Sequence, residues 1–182
     1  MDYDNEEEIY KLLTSIFLAG LIFWIAGRNF GLGLIAGFFG IILYIYWWSR
    51  AEEKNPWEIL DALCIPLVIF LFFVGIGLFL GRKDFWELRY SIVGIIVWLT
   101  FLFNKKKYRS FSWYKSGKTG FLFGFSSFLT FLLLLLLAFL KNFSLYWQSG
   151  FYLIAVILSL AAIYIRSGRK IKEDLKFLKK IN

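Results

Sequence analysis

Residues 62–81, ALCIPLVIFLFFVGIGLFLG, form an unbroken apolar run between Asp61 and Arg82. A run of about 20 apolar residues is long enough to cross the ~30 Å hydrocarbon core of a bilayer as a helix. Every backbone polar group inside a bilayer must be satisfied within its own segment, so the run is predicted to be helical. Apolar residues make up 59% of the 182-residue chain, which indicates that lipid rather than water surrounds most of it.

Five further charge-poor segments predict an all-α, polytopic transmembrane bundle of six spans. The segment at 90–104 is short, and flanking Arg89 and Lys105 would have to extend toward the headgroups for it to cross. We divide the chain into an acidic leader (1–10), a six-helix domain (11–165) and a basic tail (166–182). The predicted spans are residues 12–27, the segment between Arg28 and Arg50, and residues 62–81, 90–104, 119–140 and 142–165.

The distribution of Lys and Arg predicts that both termini are cytoplasmic. With six spans, 16 of the 21 basic residues fall on the side that holds both termini and the 105–118 loop. Basic residues are retained in the cytoplasm, so this side is predicted to be the inner one. The N-terminal stretch MDYDNEEEIYK (residues 1–11) lacks the basic start of a secretory signal, so the first span is expected to stay in the mature protein.

The tail is predicted to be a basic amphipathic helix beside the membrane. Its apolar residues recur at helical spacing, with lysines on the other faces. Such a helix is an interfacial anchor or a docking helix for a partner, and the sequence leaves both open. The apolar positions are Ile171, Leu175, Leu178 and Ile181.

Composition excludes several kinds of chemistry. The chain has no His and a single cysteine, Cys64, so His-based catalysis, intramolecular disulfides and Cys-cluster metal sites are excluded. No Asp, Glu, Lys or Arg lies in the core of a predicted span, which argues against a proton pump or an ion-coupled transporter. We therefore expect no metal and no cofactor, and composition assigns no catalytic residue.

Glycines concentrate in the second span, at Gly31, Gly33 and Gly37. Small residues let transmembrane helices approach closely, so ordinary helix packing explains them. Alternatively, the missing side chains leave a groove wide enough for a lipid chain.

The 105–118 loop interleaves basic residues with Tyr108, Phe111, Trp113 and Tyr114. Basic and stacking residues together can bind nucleic acid. A loop between two spans is better explained by topogenic charge and by aromatic anchoring to anionic headgroups. We therefore expect membrane phospholipid, and no nucleic acid, as a partner.

The densest polar cluster on the opposite side is residues 81–89, GRKDFWELR. Arg82 follows a glycine at the end of a span, and a guanidinium can donate two hydrogen bonds to one phosphate. Arg82 is thus a candidate ligand for a phospholipid headgroup. The alternative is an ordinary interfacial arginine.

The order of these features resembles the prolipoprotein diacylglyceryl transferase family. The family motif H-G-G-L-x-G-G is matched by residues 31–37 (GLGLIAG), with Gly31 in place of His. Its D-x-x-A-P is similar to residues 61–66 (DALCIP), which are one residue longer. Its G-R-x-G-N-F is similar to residues 81–85 (GRKDF), without the second Gly and the Asn. In the penultimate span, Thr130 and Leu134 stand where the family has Arg and Glu.

The resemblance implies a bacterial plasma-membrane protein that handles phosphatidylglycerol. Family members move its diacylglyceryl group onto a lipoprotein cysteine, so a lipoprotein precursor is the implied second partner. The implied lipid-binding residues are Arg82, Gly31, Gly33 and Gly37. Because most of the family's polar residues are replaced, three hypotheses stay open: a divergent transferase, a non-catalytic lipid-binding relative, and a membrane scaffold or assembly subunit.

Overall fold

The computed structural model describes residues 30–111, 114, 116, 118–140 and 146–168. Over these residues the protein is all-helical, with five α-helices and two short 3-10 turns. The helices are α1 (Phe30–Ala51), α2 (Pro56–Arg82), α3 (Arg89–Lys105), α4 (Phe121–Leu140) and α5 (Tyr146–Arg166), and the 3-10 turns are Phe85–Leu88 and Tyr108–Ser110.

Within the described ranges, four segments are long and apolar enough to cross a membrane. They include the short fourth span, because the 3-10 turn before α3 extends it to the 21 residues Phe85–Lys105. The helix α1 coincides with the second predicted span. The six-span bundle as a whole stays a prediction, since the leader, the first span and the amphipathic tail lie outside the described residues. The four segments are Pro56–Arg82, Phe85–Lys105, Phe121–Leu140 and Gln148–Arg166.

Helix α2 begins at Pro56, six residues before the predicted apolar run starts at Ala62. The Asn55 side chain accepts a 3.2 Å hydrogen bond from the Trp57 N–H, and Pro56 has no N–H to leave unsatisfied in the first turn. The helix ends at Arg82. The next residue, Lys83, adopts a left-handed conformation (φ 53°) and donates its N–H to the Phe79 carbonyl at 2.7 Å. Local capping therefore sets both ends of the longest helix.

Helices α2 and α3 cross in backbone contact. The Ser91 hydroxyl of α3 donates a 2.7 Å hydrogen bond to the Phe72 carbonyl of α2. A Cβ added to Gly94 would lie 3.1 Å from the Phe72 nitrogen, and one added to Gly75 would lie 2.5 Å from the Ser91 nitrogen. Small residues on both helices are therefore required for this crossing.

The segment after α3 folds back onto the start of α4. Tyr108 stacks on Phe121 with ring centroids 5.4 Å apart, and the Tyr114 ring lies 4.9 Å from that of Phe121. Both tyrosines are buried, at 5% and 1% exposure. The expectation that these two aromatic rings anchor to lipid headgroups is therefore wrong, because they fill the end of the protein core instead.

Candidate functional site

A partly open cavity of about 100 Å³ lies between α1, α2 and α4. Buried Gly33 and Gly37 of α1 form part of its wall. For comparison, an engineered apolar cavity of about 150 Å³ accepts benzene. The space suits a short length of hydrocarbon. The cavity is lined by Gly33, Gly37, Phe38, Ile41, Cys64, Leu67, Val68, Phe70, Leu71, Phe123, Ser126, Ser127, Thr130 and Phe131.

Aromatic packing bounds the cavity on the α4 side. The Phe38 ring of α1 stacks on Phe123 with centroids 5.7 Å apart, and meets Phe131 edge to face at 4.8 Å. Aromatic pairs in these arrangements are favourable beyond their buried area. The contacts hold α1 at a fixed distance from α4, so the space beside Gly37 is a packed feature of the fold.

Weakly polar groups occupy the part of the wall that α2 and α4 form. Cys64, Ser126 and Ser127 are each buried, and the Thr130 hydroxyl donates a 2.8 Å hydrogen bond to the Ser126 carbonyl. The lining residues include no charged side chain. Since burial of an unpaired charge is costly, the part of a ligand that enters the cavity must be uncharged. Within the described residues, no cluster of three His, Cys, Asp or Glu side chains could hold a metal ion.

The structure brings only some of the predicted lipid-binding residues together. Gly33 and Gly37 share the cavity wall, and Gly31 lies near the start of α1, where its surroundings are outside the described residues. Arg82 is at the far end of α2 and is absent from the lining. The eleven residues from Leu71 to Arg82 correspond to about 16 Å along the helix.

Arg82 is part of an ionic cluster at its own end of the bundle. Its Nη1 lies 2.9 Å from Oε1 of Glu87, and Nη2 of Arg89 lies 3.8 Å from Oε2 of the same carboxylate. The Glu87 side chain is 7% exposed, whereas that of Arg82 is 48% exposed. Arg89 also donates a 2.8 Å hydrogen bond to the Tyr90 hydroxyl. A half-exposed guanidinium is thus held in place by a buried carboxylate.

Sequence reasoning missed Glu87 and the polar wall of the cavity. The signal for Glu87 was its position between two arginines in a short connection. The signal for the wall was the pair Ser126–Ser127 in an otherwise apolar helix. Neither signal specifies burial, which depends on the packing of α2, α3 and α4.

At the opposite end, Asp61 fixes the start of α4. Its two carboxylate oxygens accept hydrogen bonds from the N–H groups of Gly120 (2.7 Å) and Phe123 (2.8 Å). Those N–H groups have no partner within their own helix at its first turn, so Asp61 satisfies them from α2. The aspartate in the family-like motif at 61–66 therefore has a structural task here.

Arg166 joins the last turn of α5 to the same end. Its Nε and Nη2 donate to the Thr119 carbonyl at 2.9 and 2.7 Å, and its guanidinium lies 4.9 Å from the centre of the Trp57 ring. The Ser116 hydroxyl donates to the Arg166 carbonyl. Together with the hydrogen bonds of Asp61, these contacts connect α2, α4 and α5 at the end of the bundle opposite Arg82.

Over the described residues, these features define an all-helical protein with membrane-type spans, a partly open cavity without charged lining residues and an ionic cluster at one end. A segment of 74 residues, 40% of the chain, is 34% identical to phosphatidylglycerol–prolipoprotein diacylglyceryl transferases of Xylella fastidiosa, strains M12, M23 and Temecula1. The match covers 23% of the length of these relatives. No protein-family model matches the chain. No solved structure matches it. The predicted family resemblance is thus supported over a part of the chain.

Proposed function

We propose that this protein binds phosphatidylglycerol in a bacterial plasma membrane, with the lipid's hydrocarbon in the cavity beside Gly33 and Gly37. The observation that carries the proposal is the cavity itself. Two glycines of the family-like motif at 31–37 form its wall, and the residues around it are predominantly apolar. Apolar pockets with a few polar groups are the usual form of small-ligand sites.

The position of Arg82 is compatible with the same lipid molecule. One leaflet accounts for about half of the ~30 Å hydrocarbon core, or about 15 Å. The distance from Arg82 to the cavity at Leu71 is about 16 Å along α2. A phosphate beside Arg82 would therefore place the ends of its acyl chains at the level of the cavity. In this proposal Glu87 holds the Arg82 guanidinium and Arg82 donates to the phosphate.

The curated relatives favour transfer of the diacylglyceryl group as a second candidate function. Their names state that reaction, and a lipoprotein precursor would then be the second partner. Transfer would break the carbon–oxygen bond to the phosphate, form a thioether with the precursor's cysteine and release glycerol phosphate. It requires an activated thiol and stabilisation of the leaving phosphate. The charge-free cavity wall favours binding over this chemistry.

Phosphatidylglycerol titration of the purified protein tests the binding function. Gly37→Leu fills the cavity, so the lipid's hydrocarbon can no longer be buried there. Burying an apolar group the size of one side chain contributes more than about 1.4 kcal/mol of binding free energy, so we expect the dissociation constant to rise at least about tenfold. Gly77→Leu is the matched control, because nothing lies within 4 Å of a Cβ at Gly77. Equal binding by Gly37→Leu and the wild type, with both proteins folded, would refute the cavity as the lipid site.

The headgroup and transfer claims need separate measurements. Arg82→Gln is expected to weaken binding of phosphatidylglycerol more than of diacylglycerol. Lys83→Asn removes a neighbouring charge while tolerating the left-handed backbone, so it serves as the control. For transfer, the protein is incubated with phosphatidylglycerol and a lipobox peptide. Release of glycerol phosphate identifies an enzyme, and its absence with intact lipid binding leaves the binding function alone.

A further inference from the structure

Four basic residues lie at the end of α3 and directly after it. Lys105, Lys106, Lys107 and Arg109 are all exposed, and we refer to them as the basic segment. The tyrosines between and after them point into the core, so the cations stay on the outside. The fold therefore separates Tyr108 and Tyr114 from the basic residues of a loop that sequence reasoning treated as one unit.

An exposed aromatic residue lies beneath the basic segment. Phe103 is 66% exposed, and Nζ of Lys107 lies 4.3 Å from the centre of its ring. Helix α1 ends in the same way, since the Arg50 guanidinium lies 4.9 Å from the ring of Tyr46, which is 49% exposed. In both cases a cation follows an exposed aromatic ring by four residues. A ring at headgroup depth with a cation above it matches the aromatic belt of a membrane interface.

These two helix ends lie at the same end of the bundle. Helix α1 is joined there to the start of α2, and α3 runs antiparallel to α2, as the Gly75–Ser91 and Phe72–Gly94 contacts show. The Asp61–Gly120 hydrogen bond brings the start of α4 to the same level. The basic segment and Arg50 are thus part of one rim.

The basic segment has no acidic neighbour along the chain. No Asp or Glu occurs between Glu87 and Glu173. At the other end of the bundle, by contrast, Glu87 neutralises part of the charge of Arg82 and Arg89. At its own rim, the α1–α2 connection and the first turn of α2 carry Glu52, Glu53 and Glu58, and Glu52 pairs with Lys54 at 3.3 Å. Among the ion pairs of the described residues, none includes a residue of the basic segment.

We propose that the basic segment binds the phosphate groups of anionic phospholipids at the membrane surface, at a site separate from the cavity. Lysines near an anionic surface gain favourable electrostatic energy that salt screens. Phe103 supplies the apolar part of the site, since its exposed ring lies beside the acyl–headgroup boundary when Lys107 reaches the phosphate.

The test titrates phosphatidylserine, an anionic lipid other than the proposed cavity ligand, into the full-length protein in detergent, with native mass spectrometry as readout. Replacing all four residues (K105Q/K106Q/K107Q/R109Q) is expected to raise the dissociation constant at least about tenfold at low ionic strength. Phosphatidylcholine binding should not change. The variant K105R/K106R/K107R keeps the charge and should bind phosphatidylserine as the wild type does.

Two comparisons make the outcome decisive. Phe103→Ala should weaken phosphatidylserine binding roughly twofold to fivefold. Leu102→Ala removes a neighbouring exposed apolar side chain that no cation contacts in the described structure, and it should not weaken binding. Unchanged affinity in the folded glutamine variant would overturn the proposal and would limit these charges to directing membrane insertion. Gly37→Leu should leave phosphatidylserine binding intact, so failure of the cavity function and failure of this site are distinguishable.

Discussion

The carboxylate of Asp61 accepts a 2.7 Å hydrogen bond from the backbone N–H of Gly120, 59 positions later in the chain. With its bond to the Phe123 N–H, it caps α4 from a neighbouring helix. Asp61→Ala leaves both N–H groups without an acceptor, so we expect the free energy of unfolding to fall by about 2–3 kcal/mol. Thermal unfolding in detergent measures this loss.

The control for that prediction is Glu58→Ala, which removes an exposed carboxylate less than one turn earlier. Its effect should be below about 1 kcal/mol, since it contributes only to the helix dipole and an exposed contact. Asp61→Asn should fall between the two, because one oxygen remains as an acceptor. A loss of the same size in Glu58→Ala and Asp61→Ala would show that the cap is not the cause.

Gly75 and Gly77 are two residues apart in α2 and should respond oppositely to alanine. A Cβ at Gly75 would clash with the Ser91 backbone, so Gly75→Ala must separate α2 from α3 and is expected to cost about 1–3 kcal/mol. At Gly77 the space is open, and Gly77→Ala should be neutral or stabilising by up to about 1 kcal/mol through helix propensity. Unfolding temperatures of the two variants, measured side by side, check the difference in sign.

Tyr114 should make stability depend on pH in the alkaline range. Burial raises the pKa of its hydroxyl above the ordinary value of 10.0. The unfolded chain therefore loses its proton first, so this contribution is complete below about pH 10 and is lost as the pH rises from about 10 through the raised pKa of the folded protein. Tyr114→Phe removes that pH dependence and also the 2.9 Å hydrogen bond to the Lys118 carbonyl, at a cost of about 1 kcal/mol at neutral pH.

Unfolding temperatures at neutral and alkaline pH test this, with Tyr46→Phe as the exposed control. The alkaline fall in stability should be smaller in Tyr114→Phe than in the control. An identical fall in both variants would mean that Tyr114 is not responsible.

Cysteine labelling in cells tests the proposed orientation. The two labelling variants are Ser110→Cys and Lys83→Cys, each in a Cys64→Ala background. Residue 110 lies in the exposed turn after α3, and residue 83 follows the last residue of α2 at the opposite end of the bundle. A membrane-impermeant maleimide should label residue 83 in intact cells, and residue 110 only after the membrane is permeabilised. Labelling of residue 110 in intact cells would reverse the predicted topology.

For the four segments that the structure describes as long and apolar enough to cross a membrane, span positions could be predicted from the sequence, because charge in hydrocarbon is costly along the whole length of a helix. The bounds of α2 depended on a finer signal, the Asn55–Pro56 cap, which allows Glu58 and Asp61 to lie inside the first turns. The inward orientation of Tyr108 could not be predicted. It depends on the Phe121 ring lying opposite, which is a property of the tertiary fold.

The same division holds for the candidate site. Gly33 and Gly37 were predicted because missing side chains leave space wherever helices meet. Cys64 and Ser126 complete the wall because of the particular faces with which α2 and α4 meet. Both helices are apolar without strong periodicity, so the sequence does not indicate which faces these are. Sequence spacing likewise did not indicate that Arg82 would be paired with Glu87.

The absence of acidic residues between Glu87 and Glu173 has a consequence for the salt that surrounds the protein. Exposed charges interact over a Debye length of about 8 Å at physiological ionic strength. The attraction of the basic segment to a membrane surface would therefore weaken as ionic strength rises and strengthen as the share of anionic lipid rises.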